Sequence, residues 1–230
     1  NKILVHGGGK LASRIAESLG VTSTFKEGRR ITDEPMLDVA IMTYAGLINK
    51  KITARLQALH INAIGVTGAD CNLIMSKKRK ADAVDYGFVG DVVAINTDIL
   101  TVWLYQDIVP VFSAISHDGC GQLLNTNADT IASSISIALS PFFEVDLVYC
   151  FEKTGLLSDL EDDNSFIPKL TPVNYYELKH NGTIHSGMVP KLDNCFKALN
   201  RGVARVSIGG PEALKSNNMK YTLIINDDEP

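Results

Sequence analysis

Three consecutive glycines, Gly7-Gly8-Gly9, follow the apolar stretch Ile3-Leu4-Val5 and His6, and precede a helical pattern over residues 11–19. This arrangement reads as a parallel strand that turns through bare backbone into the N-terminus of a helix. Residues without side chains let a ligand approach the main chain. The free N–H groups and positive dipole end of the helix favour phosphate or carboxylate. A tight turn needing a positive φ is satisfied by one glycine, so the run of three also points to an anion site.

A chain of 230 residues can bury a full core. At about 150 residues per domain it makes one large domain or two lobes of one, and we expect no separately folding second domain. Apolar content of 45%, charged content of 21% and a mean hydropathy of +0.07 describe an ordinary globular protein. We expect neither a membrane span, since no apolar run approaches roughly 18 residues, nor a signal peptide. A formal charge of −4 argues against general affinity for nucleic acid or anionic membranes. Any anion must then be held by helix ends and single cations. Cys71, Cys120, Cys150 and Cys195 lack the short paired spacing of zinc or redox sites. They are expected to be reduced packing residues of a cytoplasmic protein.

Helical and extended signals alternate along the chain. The first helix runs from Lys10 to Gly20, a C′ candidate. Asp33 and Pro35 open what reads as one long amphipathic helix, with apolar residues at Leu37, Ala40, Ile41, Tyr44, Leu47, Ile48, Ile52 and Leu56. Residues 63–66 form a buried strand ending in the turn Thr67-Gly68-Ala69-Asp70. Extended segments near residues 72–76 and 88–95 flank Lys77-Lys78-Arg79-Lys80, which reads as a solvated hairpin tip. A helix at 99–105 and a strand at 108–113 follow, then a turn at His117-Asp118-Gly119. Residues 125–129 open a helix to Leu139, and residues 145–151 are a strand. Thr171-Pro172 starts a helix that Asn181-Gly182 ends, residues 188–199 are helical, and 204–208 and 221–225 are closing strands. The acidic stretch 158–165 reads as a mobile loop. The alternation implies an α/β fold, a three-layer αβα sandwich with an open, mainly parallel sheet.

Ligands of such sheets bind beyond the carboxyl ends of the strands. The glycine run, Asp70 and residues 125–129 all follow strands, so we expect them to converge on one crevice. Taken alone, Asn125, Asn127 and Asp129 read as helix caps. Their combination with other motifs in a fixed order changes that reading. The order comprises Val5-His6-Gly7-Gly8-Gly9, Gly28-Arg29-Arg30-Ile31-Thr32, Gly46-Leu47-Ile48-Asn49-Lys50, Gly65-Val66-Thr67-Gly68-Ala69-Asp70, Gly87-Phe88-Val89-Gly90-Asp91-Val92, Asn125-Thr126-Asn127-Ala128-Asp129 and Gly187-Met188-Val189-Pro190-Lys191. Over nearly the whole chain it resembles the amino acid kinase family, and within it the branch that phosphorylates N-acylglutamate.

The resemblance implies one kinase domain, with an acylglutamate-binding lobe over about residues 1–140 and a nucleotide-binding lobe over about 141–230. It implies transfer of the γ-phosphoryl group of ATP, carrying Mg²⁺, to the side-chain carboxylate of an N-acyl-L-glutamate in arginine or ornithine synthesis. N-acetylglutamate is the first candidate substrate. Gly8 and Gly9 then correspond to backbone contacts to substrate and phosphoryl group, Arg30 to the partner of the substrate α-carboxylate, and Asn125 to a second substrate contact. Lys191 corresponds to a catalytic lysine on the phosphates and Asp129 to the carboxylate that organises the catalytic lysines. Glu152, Lys153, Thr154, Gly155 and Leu157 correspond to part of the nucleotide pocket, joined by the stretch around Ile184. The resemblance also implies a homodimer. Upstream of Asn1 it implies a further strand ending in Lys-x-Gly-Gly.

These residue types suit that chemistry. A glutamate side chain, with a pKa near ~4.3, is already an anion at neutral pH and needs no general base. The obstacle is repulsion between carboxylate and polyphosphate, so positioning and electrostatic neutralisation carry the rate. An arginine fork suits a planar carboxylate. Other phosphotransferases of the same architecture, acting on carbamate, aspartate, uridylate or glutamate, stay open, as does a non-catalytic ligand-binding regulator. A nicotinamide-dependent oxidoreductase is disfavoured, because the glycines do not fit G-x-G-x-x-G and no acidic residue closes a strand at the required ~20-residue offset.

Overall fold

The computed structural model describes residues 1–26, 29–81, 83–159, 162, 165–184, 188–214 and 221–226. Gly28, His185, Gly187 and positions 160, 161, 163 and 164 of the acidic stretch lie outside the described residues. The chain divides into two compact units, Asn1–Ile131 and Ala132–Pro230.

The first unit starts with β1 (Leu4–His6) and α1 (Gly9–Ser18), joined by the glycine turn. Gly20, with φ +72°, ends the turn after α1 as the sequence indicates. A two-residue hairpin, β2 (Phe25–Lys26) and β3 (Arg29–Arg30), leads to α2 (Glu34–Ile41), whose N-cap Asp33 accepts a hydrogen bond from the Met36 N–H. The single long helix expected here is interrupted. Residues Met42–Ile48 form a π-helix before α3 (Asn49–Ala58), and the Asn49 N–H bonds to the Tyr44 carbonyl five residues back. The wider turns change the face that the helix presents. Tyr44 is thereby 5% exposed and Asn49 1%. An apolar stripe alone does not reveal such a shift.

Next come β4 (Ala63–Val66), β5 (Ile74–Lys78), β6 (Gly90–Ile95), α4 (Thr97–Tyr105), β7 (Val109–Ser113), β8 (Ile115–His117) and β9 (Leu123–Asn125). Strands β1, β7 and β4 form an all-parallel sheet with β7 central. Strands β6, β5, β8 and β9 form a mixed second sheet. Half of the basic run belongs to a strand rather than to the hairpin tip, for Lys77 and Lys78 lie in β5 while Arg79 and Lys80 follow it. Two of its four cations are engaged locally. Arg79 forms an ion pair with Asp91, and the Lys78 ammonium lies 4.7 Å from the Phe88 ring centroid. A core of Ala12, Ala16, Met36, Val39, Ala40, Tyr44, Ala114 and Ile115 seats α1 and α2.

Helix α5 (Ala128–Leu139) carries the division between the units. The second unit contains β10 (Asp146–Cys150), β11 (Lys169–Leu170), α6 (Pro172–His180), α7 (Val189–Leu199), β12 (Arg205–Gly209) and β13 (Thr222–Ile224). Its sheet has the order β10-β12-β13-β11, with β10 and β12 parallel. Thr171 caps α6 as its sequence requires, accepting from the Asn174 N–H. Leu170, Leu192, Cys195, Ala198, Val206 and Ile224 fill the core at 1% exposure or less. The first unit's β1-β7-β4 sheet is parallel throughout, and in the second unit the parallel pairs β10–β12 and β11–β13 flank an antiparallel β12–β13 pair; with helices packed on them, these sheets give the α/β class. The antiparallel pairing of β5 and β6 agrees with the hairpin read from the sequence, whereas the β2–β3 and β8–β9 pairings were not read from it.

Candidate active site

None of glycines 7–9 has a φ in the left-handed region. The requirement here is space. A Cβ at Gly8 would collide with Ile48 and stand 2.9 Å from Cδ1 of Tyr44. At Gly7 the nearest atom would be the Ala128 Cβ at 3.7 Å, and at Gly9 an Arg30 Nη2 at 3.9 Å, both ordinary contacts. The protein leaves room for a methyl group at Gly7 and Gly9, and the sequence leaves that room empty. Gly8 at the N-cap brings no capping side chain, and the first turn of α1 holds no acidic residue. The N-terminal N–H groups and dipole of α1 are thus available to an anion.

Arg30 is 8% exposed. Its Nη2 donates to the Gly9 carbonyl at 3.0 Å and to Ser13 Oγ at 2.8 Å, and its Nη1 donates to Ser23 Oγ at 2.7 Å. The guanidinium carbon lies 4.5 Å from the centroid of Phe25, so ring and hydroxyls fix its plane. It also bonds to the Tyr44 hydroxyl, although burial dominates and pushes the Tyr44 pKa up. Ser13, Ser23, Phe25 and Tyr44 were not identified from sequence. Only their nearness to the glycine and arginine motifs hinted at them.

Asn125 ends β9, where its Nδ2 donates to Thr32 Oγ1 at 3.0 Å. The capping role falls to Asn127, whose Oδ1 accepts from the Thr130 N–H at 2.9 Å. Asp129 follows in the first turn of α5, half-buried. Gly7 approaches Ala128, Gly9 meets Arg30, and Thr32 meets Asn125. The first unit therefore gathers Gly8, Gly9, Arg30 and Asn125 around one region, with Asp129 beside it in sequence.

Lys191 belongs to the second unit. It sits in the first turn of α7, with its ammonium 4.7 Å from the centroid of Tyr149 near the C-terminal end of β10. Partial desolvation raises the pKa of the neighbouring Cys150 thiol, and the positive charge of Lys191 counteracts this. Just beyond β10, a small cleft is lined by Phe151, Lys153, Gly155, Leu156, Leu157, Thr183, Ile184 and Met188. Glu152, Lys153 and Thr154 are exposed, whereas Gly155 and Leu157 are buried. A Cβ at Gly155 would enter the Phe166 ring and stand 2.9 Å from Thr222 Oγ1, so tight packing also requires glycine there.

Among the described residues, no group of three His, Cys, Asp or Glu side chains is placed to hold a metal ion. None of the helices described is long and apolar enough to cross a membrane.

Acetylglutamate kinase from Bacteroides thetaiotaomicron is 50% identical over 94% of this chain and 84% of its own length. The acetylglutamate kinase of Cytophaga hutchinsonii is 52% identical over 93% and 81%. Among solved structures, N-acetylglutamate synthase from Neisseria gonorrhoeae, complexed with coenzyme A and N-acetyl-glutamate, superposes with a TM-score of 0.82 at 22% identity, over 99% of this chain and 52% of its own. Carbamate kinase from Giardia gives 0.64 at 12% identity, over 98% and 83%. These two likenesses speak for the fold alone. Residues 1–210 match the profile of the amino acid kinase family, and the chain belongs to that family.

Proposed function

We propose that this protein has acetylglutamate kinase activity, transferring the γ-phosphoryl group of ATP to the side-chain carboxylate of N-acetyl-L-glutamate. The product is an acyl phosphate of arginine biosynthesis. The observation that carries the reading is the buried Arg30 guanidinium beside Gly9, in a turn where Gly7 and Gly9 leave unfilled space. The relatives of about half-identical sequence named above support the same substrate.

In this reading Arg30 holds the α-carboxylate and Asn125 a second substrate group. The N–H groups of Gly8 and Gly9 receive the transferring phosphoryl oxygens. The attacking carboxylate is ionised at neutral pH, so no base is required. Charge spreads over the phosphoryl oxygens in the transition state, and oriented N–H groups stabilise it without reorganising. Lys191 is assigned to the phosphates and Asp129 to orienting the cationic groups. Glu152, Lys153, Thr154, Gly155, Leu157 and Ile184 are assigned to the nucleotide. Magnesium arrives with ATP as part of the substrate. The family resemblance further suggests a cytoplasmic homodimer.

The test is hydroxylamine trapping of acyl phosphate made by the intact protein from MgATP, with N-acetylglutamate, free glutamate, aspartate and carbamate offered separately. N-acetylglutamate should exceed the others in kcat/KM by about a hundredfold or more, because a lost acyl contact and an unmatched charge both raise the barrier. Preference for an unacylated substrate would contradict the proposal.

A further inference from the structure

Asn49 and Gly65, which the proposed reaction does not use, meet beneath the glycine run. Asn49 is 1% exposed at the start of α3. Its Nδ2 donates to the Val111 carbonyl at 2.8 Å and stands 3.2 Å from Nε2 of His6. A carbonyl oxygen only accepts, so the amide must turn its NH₂ toward Val111. The other hydrogen of that NH₂ then faces His6 Nε2, which must be the unprotonated nitrogen. A neutral imidazole carries its one proton on the remaining nitrogen, Nδ1, which lies 2.9 Å from the Gly7 carbonyl oxygen. Burial favours this neutral ring by lowering the His6 pKa.

The arrangement has a cost. Asn49 Oδ1 is buried without a hydrogen-bond partner among the described residues. A Cβ at Gly65 would run into that oxygen and stand 2.5 Å from Thr53 Oγ1, so Gly65 is bare to admit the amide. Packing alone would favour an apolar side chain over an amide with one unpaired end.

We propose that Asn49 and His6 are positioning residues that aim the Gly8 N–H. Asn49 fixes the Nδ1–H tautomer of His6, and His6 fixes the Gly7 carbonyl. Across the planar trans peptide the Gly8 N–H points away from that carbonyl, toward the side where the phosphoryl oxygens are received. The relay rests on the phosphoryl-transfer reading above and deepens it.

Nitrogen NMR of the imidazole in the intact, ligand-free protein tests the tautomer without any turnover. Nδ1 should be the protonated nitrogen of His6 at neutral pH. Asn49→Leu should shift the ring toward the Nε2–H form. It should also lower kcat by about ten- to a hundredfold while changing the KM for N-acetylglutamate by less than about threefold, the pattern of a contact made in the transition state. His6→Asn keeps an N–H at the Nδ1 position and should recover most of the activity that His6→Ala loses. A predominant Nε2–H tautomer in the native protein, or undiminished kcat in His6→Ala, overturns the relay. The Nδ1–H tautomer in a protein that makes no acyl phosphate overturns the proposed reaction and leaves the relay geometry standing.

Discussion

The Arg30 guanidinium donates to the carbonyl oxygen of Gly9 at 3.0 Å, joining β3 to the glycine turn across 21 positions of sequence. Arg30 thus has two jobs, tying the turn in place and presenting a planar cation beside it. Arg30→Ala should raise the KM for N-acetylglutamate by about a hundredfold, with a smaller effect on kcat, since the α-carboxylate does not react. Loss of its buried partners should also destabilise the fold by about 2 kcal/mol. Arg30→Lys keeps the charge without the fork and should recover little affinity. Steady-state kinetics with thermal unfolding of each variant checks this.

The glycines separate by mechanism. Gly8→Ala should lower stability by about 1–3 kcal/mol, because its methyl group has to displace Ile48 and the Tyr44 ring. Gly9→Ala meets only an ordinary contact with Arg30 and should fold with a nearly native melting temperature. Its kcat/KM should nevertheless fall by about a hundredfold or more, since the methyl group fills the space assigned to the reacting groups. Calorimetry paired with the hydroxamate assay distinguishes the two.

Lys191→Ala should lower kcat by about a hundredfold or more and change the KM for N-acetylglutamate little. Cys150 provides a reading independent of turnover. Removing the Lys191 charge leaves the desolvated thiol with less stabilisation of its thiolate, so its pKa should rise further. Alkylation of Cys150, followed by peptide mass spectrometry across a pH series, should be slower in the variant than in the native protein at the same pH.

The glycine turn and the cap at Asp33 were legible because each is written in local chemistry, missing side chains and a capping carboxylate, whereas Arg30 was singled out by the family resemblance. Asn125 was misleading by composition. It looks like a cap, but Asn127 takes that place and Asn125 bridges to Thr32. The π-helix at Met42–Ile48 left no local mark, since the same apolar residues fit an uninterrupted helix until Asn49 has to face Val111. The support around Arg30 was hidden for a similar reason. Ser13, Ser23 and Phe25 are ordinary residues until folding brings them to one guanidinium.

His6 gives a pH signature of stability. Burial lowers its pKa in the folded state, so the unfolded chain binds the proton more readily. Its contribution is fully present above the unfolded pKa of about 6.5 and is lost as pH falls from there toward the folded pKa. Melting temperatures measured across that window should decline less steeply in His6→Asn than in the native protein.

The central claim is that a side-chain carboxylate oxygen of N-acetylglutamate attacks the γ-phosphorus of ATP. Heavy-oxygen labelling tests it directly. With the label in the side-chain carboxylate, hydroxylamine releases the acyl phosphate as hydroxamate and inorganic phosphate, and phosphorus NMR reads the isotope shift of that phosphate. The account predicts one labelled oxygen in each phosphate released, and none when only the α-carboxylate is labelled. Unlabelled phosphate from the side-chain-labelled substrate, or label arriving from the α-carboxylate, would contradict it.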